Sequence, residues 1–257
     1  MRPYQCYSSP LISIITVVLN GEHCLEETIL SIIGQTYENL EYIIVDGGSS
    51  DGTVDVIRQY EHHIKHWISE PDNGLYDAMN KGMDFASKDG YFWFINAGDA
   101  IYSHDTLEKV FSLNPSMDVY YGRTALIDRS GSLKKITKVP NRLDWKAMHK
   151  GMILSHQSII AKKEFVPNYN LQYRYVSDHD WVINILKKTN RIFNTDLVLS
   201  KYRLGGFSQE NFFGCWRDRF AIINNHYSSY YVYKNYGLFF KATVKYLLKR
   251  VLHRHTG

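Results

Sequence analysis

Residues 91–99 read Tyr-Phe-Trp-Phe-Ile-Asn-Ala-Gly-Asp, and this stretch decides how the rest of the chain is interpreted. Five large apolar residues predict a buried strand that ends at Asn96, Gly98 and Asp99. In open α/β sheets the carboxyl ends of strands are where ligands bind. A carboxylate next to a glycine is well placed there to hold a metal–phosphate group. Taken alone, the same residues also fit a surface turn.

The first hundred residues predict alternating strands and helices. Strands are expected at 11–18, 41–45 and 66–69, and helices at 25–33, 54–60 and 75–86. This alternation is typical of a parallel sheet built from βαβ units. Asp46 follows the second strand and precedes two glycines, so it is a candidate ligand for a nucleotide. Neither a dinucleotide-binding fingerprint nor a phosphate-binding P-loop is present.

The second half is less regular. A helix is expected at 104–111 with Ser103 as its cap, followed by a strand at 118–121 and a hairpin over 122–138. A further strand is expected at 156–161, and a helix begins near Val176. Residues from about Leu238 onward place apolar side chains at helical spacing with lysines between them, which predicts an amphipathic helix.

Composition limits the class of protein. The 257 residues carry a net charge of +4, and 44% are hydrophobic, as in ordinary globular proteins. Cys6, Cys24 and Cys215 form no CxxC pair, so a reducing compartment is expected. No signal peptide or membrane span is apparent, and we predict a cytoplasmic protein.

Charge is unevenly distributed along the chain. From Arg219 onward there are seven Lys and Arg residues and no acidic residue, which leaves 23 basic and 26 acidic residues before it. A basic amphipathic helix at the end of the chain fits peripheral contact with an anionic membrane surface. Packing on the protein body or contact with a second subunit are the alternatives.

Four ordered blocks resemble those of family 2 glycosyltransferases: TVVLN (16–20), VDGGSSDGT (45–53), SEPDNGLYDAMNKG (69–82) and FINAGD (94–99). They are most similar to bacterial members that build exopolysaccharide, capsule or lipopolysaccharide, such as the colanic acid type. The resemblance implies an α/β protein with the GT-A fold, whose Rossmann-like, mostly parallel sheet is flanked by helices. It predicts a transferase domain over 1–215, with a nucleotide-sugar-binding half at 10–100 and an acceptor-side half at 101–215. A basic, aromatic helical extension is expected over 216–257.

The same resemblance assigns the donor site. Asn20 and Asp46 would contact the nucleoside, while Asp77 and Lys81 lie in the block that borders the donor pocket. His156 begins a His-Gln pair that lies near the donor in such enzymes, although a structural hydrogen bond explains it equally well. The other positions assigned to the donor are Asn96 and Arg203.

The residues Asn96–Asp99 match the metal motif of the family, which is commonly Asp-x-Asp. Here Asn96 and Gly98 replace carboxylates, and Asp99 is the acid that is left. One carboxylate can hold Mg²⁺ or Mn²⁺ if the diphosphate and water supply the other oxygen ligands. A divalent metal is therefore the expected cofactor, with weak affinity before the nucleotide binds.

Residues 176–181 match a Glu-Asp-x-Asp block in which Ser177 stands where Glu is usual. Asp178 takes the place of the catalytic base, because inverting transfer requires a carboxylate to deprotonate the acceptor hydroxyl. A helix cap or a first-turn acid stabilised by the helix dipole is the rival explanation. Asp180 is a weaker candidate for the base.

Residues 202–208 resemble a Gly-Gly-x-Ser element, in which Arg203 could pair with a diphosphate. The Gln-x-x-Arg-Trp element of processive synthases is absent from the sequence, which favours addition of a single sugar.

The expected function is therefore inverting transfer from a nucleotide-diphosphate sugar to a glycan or polyprenyl-diphosphate-linked acceptor. The protein would then work at the inner face of the cytoplasmic membrane, and no nucleic-acid partner is expected. A non-catalytic GT-A-like module that binds nucleotide sugars is the alternative, because two carboxylates of the metal motif are missing.

Overall fold

The computed structural model describes residues 9–205 and 211–254, with side chains up to residue 248. Three strand–helix pairs open the described chain, and a fourth strand follows them. Their bounds are β1 Ile12–Val18, α1 Glu22–Ile33, β2 Leu40–Asp46, α2 Thr53–Gln59, β3 His66–Ser69, α3 Leu75–Phe85 and β4 Tyr91–Phe94. The elements predicted for this half are confirmed to within a few residues.

The second half adds shorter and more varied elements. They are β5 Ala100–Ile101, α4 Thr106–Leu113, β6 Val119–Ile127, β7 Leu133–Ile136, β8 Ile159–Lys162, α5 Ser177–Lys188, β9 Ile192–Arg203, α6 Phe212–His226 and α7 Ser229–Arg254. Helix α7 begins about nine residues before the predicted start. His156–Ser158 forms a 3₁₀ turn that precedes β8 rather than part of a strand.

The described strands form one nine-stranded sheet in the order β3-β2-β1-β4-β8-β6-β9-β5, with β7 paired to β6. Strands β3, β2, β1 and β4 are parallel, as βαβ units require. Beyond β4 the sheet is mixed, because β8 runs antiparallel to both β4 and β6. The loops that follow β1, β2 and β4 therefore meet at one edge of the sheet.

The core lies on both faces of this sheet. Ile15 of β1 and Phe94 of β4 belong to one apolar cluster, whereas Ile14 and Trp93 belong to the other. Successive residues of a strand point to opposite faces, so a strand that is apolar throughout must be covered on both sides. This explains why the β4 run has no polar residue until it leaves the sheet.

The predicted cap at Ser103 is wrong. Helix α4 begins at Thr106, and its preceding residue Asp105 makes no capping bond. Instead the Ser103 hydroxyl donates to the Asp105 carboxylate (2.8 Å), and the Ser103 amide donates to the Thr106 hydroxyl (3.0 Å). These bonds form a local turn before the helix, which is the competing use of serine in such positions.

Candidate active site

A cleft of about 1100 Å³ opens where β4 ends. Its lining includes the Asn96–Asp99 loop, residues 151–157, the start of α5 and the end of β9, together with residues of α1, α3 and α6. Five of the predicted site residues come together here, namely Asn96, Asp99, His156, Asp178 and Arg203. The cleft lies at the sheet edge where ligands bind in α/β proteins.

Helix α1 fixes the shape of the Asn96–Asp99 loop. The Thr28 hydroxyl donates to the Asp99 carbonyl (2.7 Å) and accepts from the Gly98 amide (3.0 Å). Gly98 has φ of 89°, a conformation that residues with a side chain rarely adopt. The loop therefore turns sharply and directs the Asp99 carboxylate back toward the protein.

Both carboxylate oxygens of Asp99 accept hydrogen bonds inside the protein. Oδ2 accepts from the Gln157 side chain (2.8 Å), and Oδ1 accepts from the Arg203 amide (3.1 Å). Burial raises the pKa of Asp99 to about 6, because these bonds offset only part of the desolvation. Gln157 was not among the predicted site residues, and its position beside His156 was the signal that could have identified it.

The Arg203 side chain holds the loop in place. Its guanidinium donates to the carbonyls of Gly98 (3.1 Å) and Arg129 (3.0 Å) and pairs with Glu27 (2.5 Å). These contacts occupy the guanidinium within the protein, so diphosphate binding by Arg203 stays a prediction. The following residues 206–208 of the Gly-Gly-x-Ser element lie outside the described residues.

Asp178 lies in the first turn of α5 and faces the cleft. Its Oδ1 accepts from the Tyr76 hydroxyl (3.1 Å), and its Oδ2 lies 3.6 Å from Nδ1 of His156. Burial raises the pKa of Asp178, but its interaction with the nearby His156 ring outweighs burial, so the net shift is downward. About a fifth of the Asp178 side chain remains exposed, at 22%. An ionised carboxylate that is held from two sides and still open to a cleft can accept a proton.

The rival explanation as a helix cap does not describe Asp178. Helix α5 is preceded by Val176, which makes no side-chain capping bond. The bond that the Asp178 carboxylate accepts from the helix comes from the adjacent His179 amide (3.0 Å). Asp180 is structural, since its carboxylate pairs with His226 (2.6 Å) and so joins α5 to α6.

Two polar atoms at the cleft are buried without a partner in the described part of the chain. They are Oδ1 of Asn96 and Nε2 of His156. Such groups normally form hydrogen bonds, because burying an unpaired polar atom costs about 1–3 kcal/mol. Both residues line the cleft, so a bound ligand is the natural partner for these atoms.

Asn20 and Asp46 form a second group on the same edge of the sheet. Asn20 accepts from the Ser50 amide (2.9 Å), while Asp46 is fully buried and accepts from the Ser69 hydroxyl (2.6 Å). Both residues fasten the loops after β1 and β2 rather than line the cleft. Gly21, which follows Asn20, lies against the Asn96–Asp99 loop, because a Cβ at residue 21 would be 3.6 Å from the Cβ of Ala97.

Asp77 and Lys81 lie on α3 and are not brought into the cleft. Asp77 accepts from the Asn73 amide (2.9 Å), and Lys81 pairs with Glu70 (2.7 Å). These bonds secure the loop before α3. A role of either residue toward the donor stays a prediction.

Two oxygen donors lie where the sequence predicts a divalent metal. Asp99 and the unpartnered Oδ1 of Asn96 are oxygen donors of the kind that Mg²⁺ and Mn²⁺ prefer. Over residues 9–205 and 211–254, however, no group of three or more His, Cys, Asp or Glu side chains could hold a metal ion. The residues fit a divalent metal whose remaining ligands come from a bound phosphate and water.

Helix α7 has one packed face and one exposed face. Phe239 and Tyr246 pack on Phe212 of α6, with ring centroids 6.3 and 4.5 Å apart. The outward face carries exposed apolar side chains, including Tyr233, Phe240, Val244 and Leu247. Of the helices in the described residues, none is long and apolar enough to cross a membrane.

Sequence comparison finds a family match over much of this architecture. The family model described as glycosyl transferase family 2 matches residues 13–164. An uncharacterized glycosyltransferase of Mycobacterium tuberculosis is 30% identical over 189 residues, covering 68% of this chain and 69% of the relative. A glycosyltransferase of Mycobacterium bovis, named for PGL/p-HBAD biosynthesis, is 30% identical over 217 residues, covering 80% and 79%.

Solved structures with the same fold are more distant in sequence. TarS of S. aureus, residues 1–349, has a TM-score of 0.61 at 18% identity, with 84% of this chain and 66% of that chain covered. The mannosyltransferase PcManGT of Pyrobaculum calidifontis, solved with GDP-Man and Mn²⁺, has a TM-score of 0.61 at 16% identity, with 87% and 66% covered. These likenesses confirm the predicted GT-A fold.

Proposed function

The chain belongs to glycosyl transferase family 2 and is a glycosyltransferase, and we propose that it transfers a sugar with inversion from a nucleotide-diphosphate sugar to a lipid-linked glycan. Bacterial surface polysaccharide synthesis is the proposed setting. The observation that carries the proposal is the Asp178 carboxylate, which is held by Tyr76 and His156 and open to the cleft.

Asp178 is the proposed general base. Its lowered pKa keeps the carboxylate ionised at neutral pH. It accepts the proton of the acceptor hydroxyl while that oxygen bonds to the anomeric carbon, and the bond from this carbon to the diphosphate breaks on the opposite face. Tyr76 orients one carboxylate oxygen, and His156 stabilises the charge on the other. General-base catalysis of this kind contributes about 10²–10⁴-fold to the rate.

The donor is proposed to bind between the loops after β1, β2 and β4. Support comes from neighbours with this fold that were solved with UDP-GlcNAc and with GDP-Man. The unpartnered atoms of Asn96 and His156 would bond to the donor or to its metal. Asp99 and Asn96 would hold Mg²⁺ or Mn²⁺, which when bound neutralises negative charge on the departing diphosphate.

Peripheral contact with the inner face of the cytoplasmic membrane is part of the proposal. The exposed apolar face of α7 includes Phe240, which is 70% exposed, and Lys241 and Lys245 are exposed on the same helix. Such a helix buries its apolar side chains in the interface while its cations attract anionic lipids. The acceptor lipid would be presented at that surface.

A non-catalytic module that binds nucleotide sugars is the second candidate. Two observations favour it. Asn96 and Gly98 stand where the family motif has carboxylates, and both carboxylate oxygens of the remaining Asp99 already accept hydrogen bonds within the protein. Such a module would bind the donor without breaking the bond to its diphosphate.

A donor screen tests the proposal. The purified protein is heated with UDP, GDP and their sugars, with and without Mn²⁺, since a ligand that binds the folded state raises the unfolding temperature. Release of the nucleoside diphosphate is then measured for each donor that binds. We expect binding followed by slow release through hydrolysis. Binding without any release, also with lipid-linked acceptor present, would favour the non-catalytic module.

A further inference from the structure

Arg219 of α6 is a cation at the cleft, and within residues 9–205 and 211–248 no acidic side chain pairs with it. Its guanidinium donates to Oδ1 of Asn235 from Nε (3.1 Å) and Nη2 (2.8 Å), and Nη2 also donates to the His149 carbonyl (3.5 Å). The guanidinium lies 4.4 Å from the centre of the Trp216 ring. Among the described residues no carboxylate forms a salt bridge with it, although it lines the cleft. Desolvation lowers the pKa of Arg219 to about 10. A desolvated charge left unpaired is costly, which points to an anionic ligand.

Residues 151–157 show where Arg219 lies relative to the catalytic groups, because each of them lines the cleft. Gly151 lies against Arg219, since a Cβ at this position would be 2.8 Å from Nη1. His156 faces Asp178, and Gln157 binds Asp99. This segment therefore runs from Arg219 past the proposed base to the proposed metal ligand. The five backbone steps from Gly151 to His156 span at most about 18 Å.

We infer that Arg219 binds a phosphate or diphosphate group of the acceptor substrate. The inference rests on the proposed function. In an inverting displacement the acceptor and the leaving diphosphate lie on opposite sides of the anomeric carbon, with the base beside the acceptor. Asp99 marks the donor end, so the cation beyond Asp178 belongs to the acceptor end. A guanidinium also matches phosphate geometry through paired hydrogen bonds.

Asn235 connects this cation to the helix proposed to contact the membrane. It lies on α7, is fully buried, and donates to the His149 carbonyl (3.0 Å) while it accepts from Arg219. Helix α7 therefore carries the exposed apolar face and also orients Arg219 through Asn235. A lipid-linked phosphate fits this arrangement, with its anionic group at Arg219 and its lipid at the apolar face.

The test measures binding of inorganic pyrophosphate to the full chain by calorimetry in the absence of divalent metal. We expect Arg219→Gln to weaken pyrophosphate binding at least about tenfold, because charge-assisted bonds to phosphate are lost. Arg219→Lys keeps the charge and should weaken it less. Arg217→Gln is the matched control, since Arg217 has the same charge on the same helix but is 69% exposed and paired with Asp218.

Binding of a nucleoside diphosphate with Mn²⁺ is measured on the same variants. It should not change in Arg219→Gln, which also shows that this variant is folded. Unchanged pyrophosphate binding in Arg219→Gln would overturn the inference. Equal losses of pyrophosphate and nucleoside diphosphate binding would overturn it too, because they would place Arg219 in the donor site. If the donor screen finds no release but pyrophosphate binding depends on Arg219, the proposed function fails while the anion site stands.

Discussion

Asp99 is the one carboxylate of the proposed metal site, where the family motif that Asn96–Asp99 resembles commonly has two. Its neighbours make up part of the difference. Gln157 and the Arg203 amide fix the orientation of the carboxylate, and Thr28 fixes the backbone that carries it. A ligand that is fixed in this way loses little freedom when it binds a metal, so one carboxylate can serve where the diphosphate supplies the other oxygens.

Asp99→Asn should abolish the strengthening of nucleoside diphosphate binding by Mn²⁺. Gln157→Leu should weaken that effect by about tenfold, as is usual when the partner of a metal ligand is removed. The metal requires an ionised carboxylate, and the pKa of Asp99 is raised to about 6. The Mn²⁺ effect in the wild type should therefore decline as the pH falls through about 6.

Calorimetric titrations at pH 8 and pH 5.5, with and without Mn²⁺, measure this effect. Asp105→Asn is the control, because Asp105 pairs with Lys109 on α4 outside the cleft. If Asp99→Asn responds to Mn²⁺ as the wild type does, Asp99 is not a metal ligand.

His156→Asn should move the acidic limb of the pH–rate profile of sugar transfer toward higher pH. The interaction with the nearby His156 ring lowers the pKa of Asp178 against the effect of burial. Without His156 the Asp178 carboxylate stays protonated up to a higher pH, and a protonated carboxyl group cannot act as the base. A loss of rate with no movement of the limb would instead limit His156 to donor binding.

At the scale of elements, Glu41 joins three parts of the sheet. This buried residue of β2 accepts from the Ser87 amide (2.8 Å) after α3 and lies 3.4 Å from the Lys163 amine after β8. It also pairs with Lys65 before β3 and accepts from Ser13 of β1. Burial raises the pKa of Glu41, but these donors outweigh it and lower the pKa to about 2.

Glu41→Gln should lower the free energy of unfolding at pH 7 by about 3 kcal/mol, because Lys163 stays buried without its counter-charge. The pKa of Glu41 falls from its ordinary value of 4.5 to about 2 on folding. The ionised carboxylate therefore contributes its full stabilisation above pH 4.5. That contribution is lost as the pH falls toward 2.

Urea unfolding of both proteins at pH 7 and pH 3 should therefore show a smaller difference at pH 3. Glu164→Gln is the control, since its surface pair with Lys162 is worth at most about 1 kcal/mol. A difference that does not depend on pH would mean that the charge of Glu41 is not what stabilises the sheet.

The sequence predicted the elements whose pattern is local. Strand β4 is apolar throughout, and β1 is interrupted only by Ser13 and Thr16, so both runs predict strands that are buried on both faces. Strand β9 was not predicted, because Asn194, Thr195 and Asp196 interrupt its apolar pattern. It exists through parallel pairing with β6, which includes two register shifts and depends on contacts distant in sequence.

The same distinction holds for the site. Asp99 and Asp178 were proposed from the sequence, because Asp99 closely follows a predicted strand and Asp178 lies in a block that resembles one of the family. The partner Tyr76 could not, because it is 102 residues from Asp178 and contacts it only after α3 and α5 pack together. Arg219 appeared in the sequence only as one cation of a basic tail, and its place at the cleft depends on the packing of α6 and α7.

For the whole molecule, α7 is expected to place the cleft at a membrane surface. The double variant Lys241→Gln, Lys245→Gln should bind vesicles that contain anionic lipid about 30-fold more weakly. The reason is that each cation near such a surface contributes about 1 kcal/mol to binding, and two are removed. Sedimentation with anionic and with neutral vesicles measures this. The pair Lys135→Gln and Lys138→Gln makes the same change of charge on another part of the chain and should bind as the wild type does. Equal binding of the wild type to both kinds of vesicle would contradict the electrostatic part of this account.

We propose that sugar transfer by this chain depends on Asp178, and the rate of transfer in Asp178→Asn tests that dependence most directly. Asp180→Asn is the matched variant, since it makes the same change two residues away and breaks a bond to His226 instead. We expect Asp178→Asn to lower turnover by about 10²–10⁴-fold with nucleoside diphosphate binding retained. Asp180→Asn should lower the unfolding temperature and keep most of the turnover. Turnover close to that of the wild type in a folded Asp178→Asn protein would contradict the assignment of Asp178 as the base.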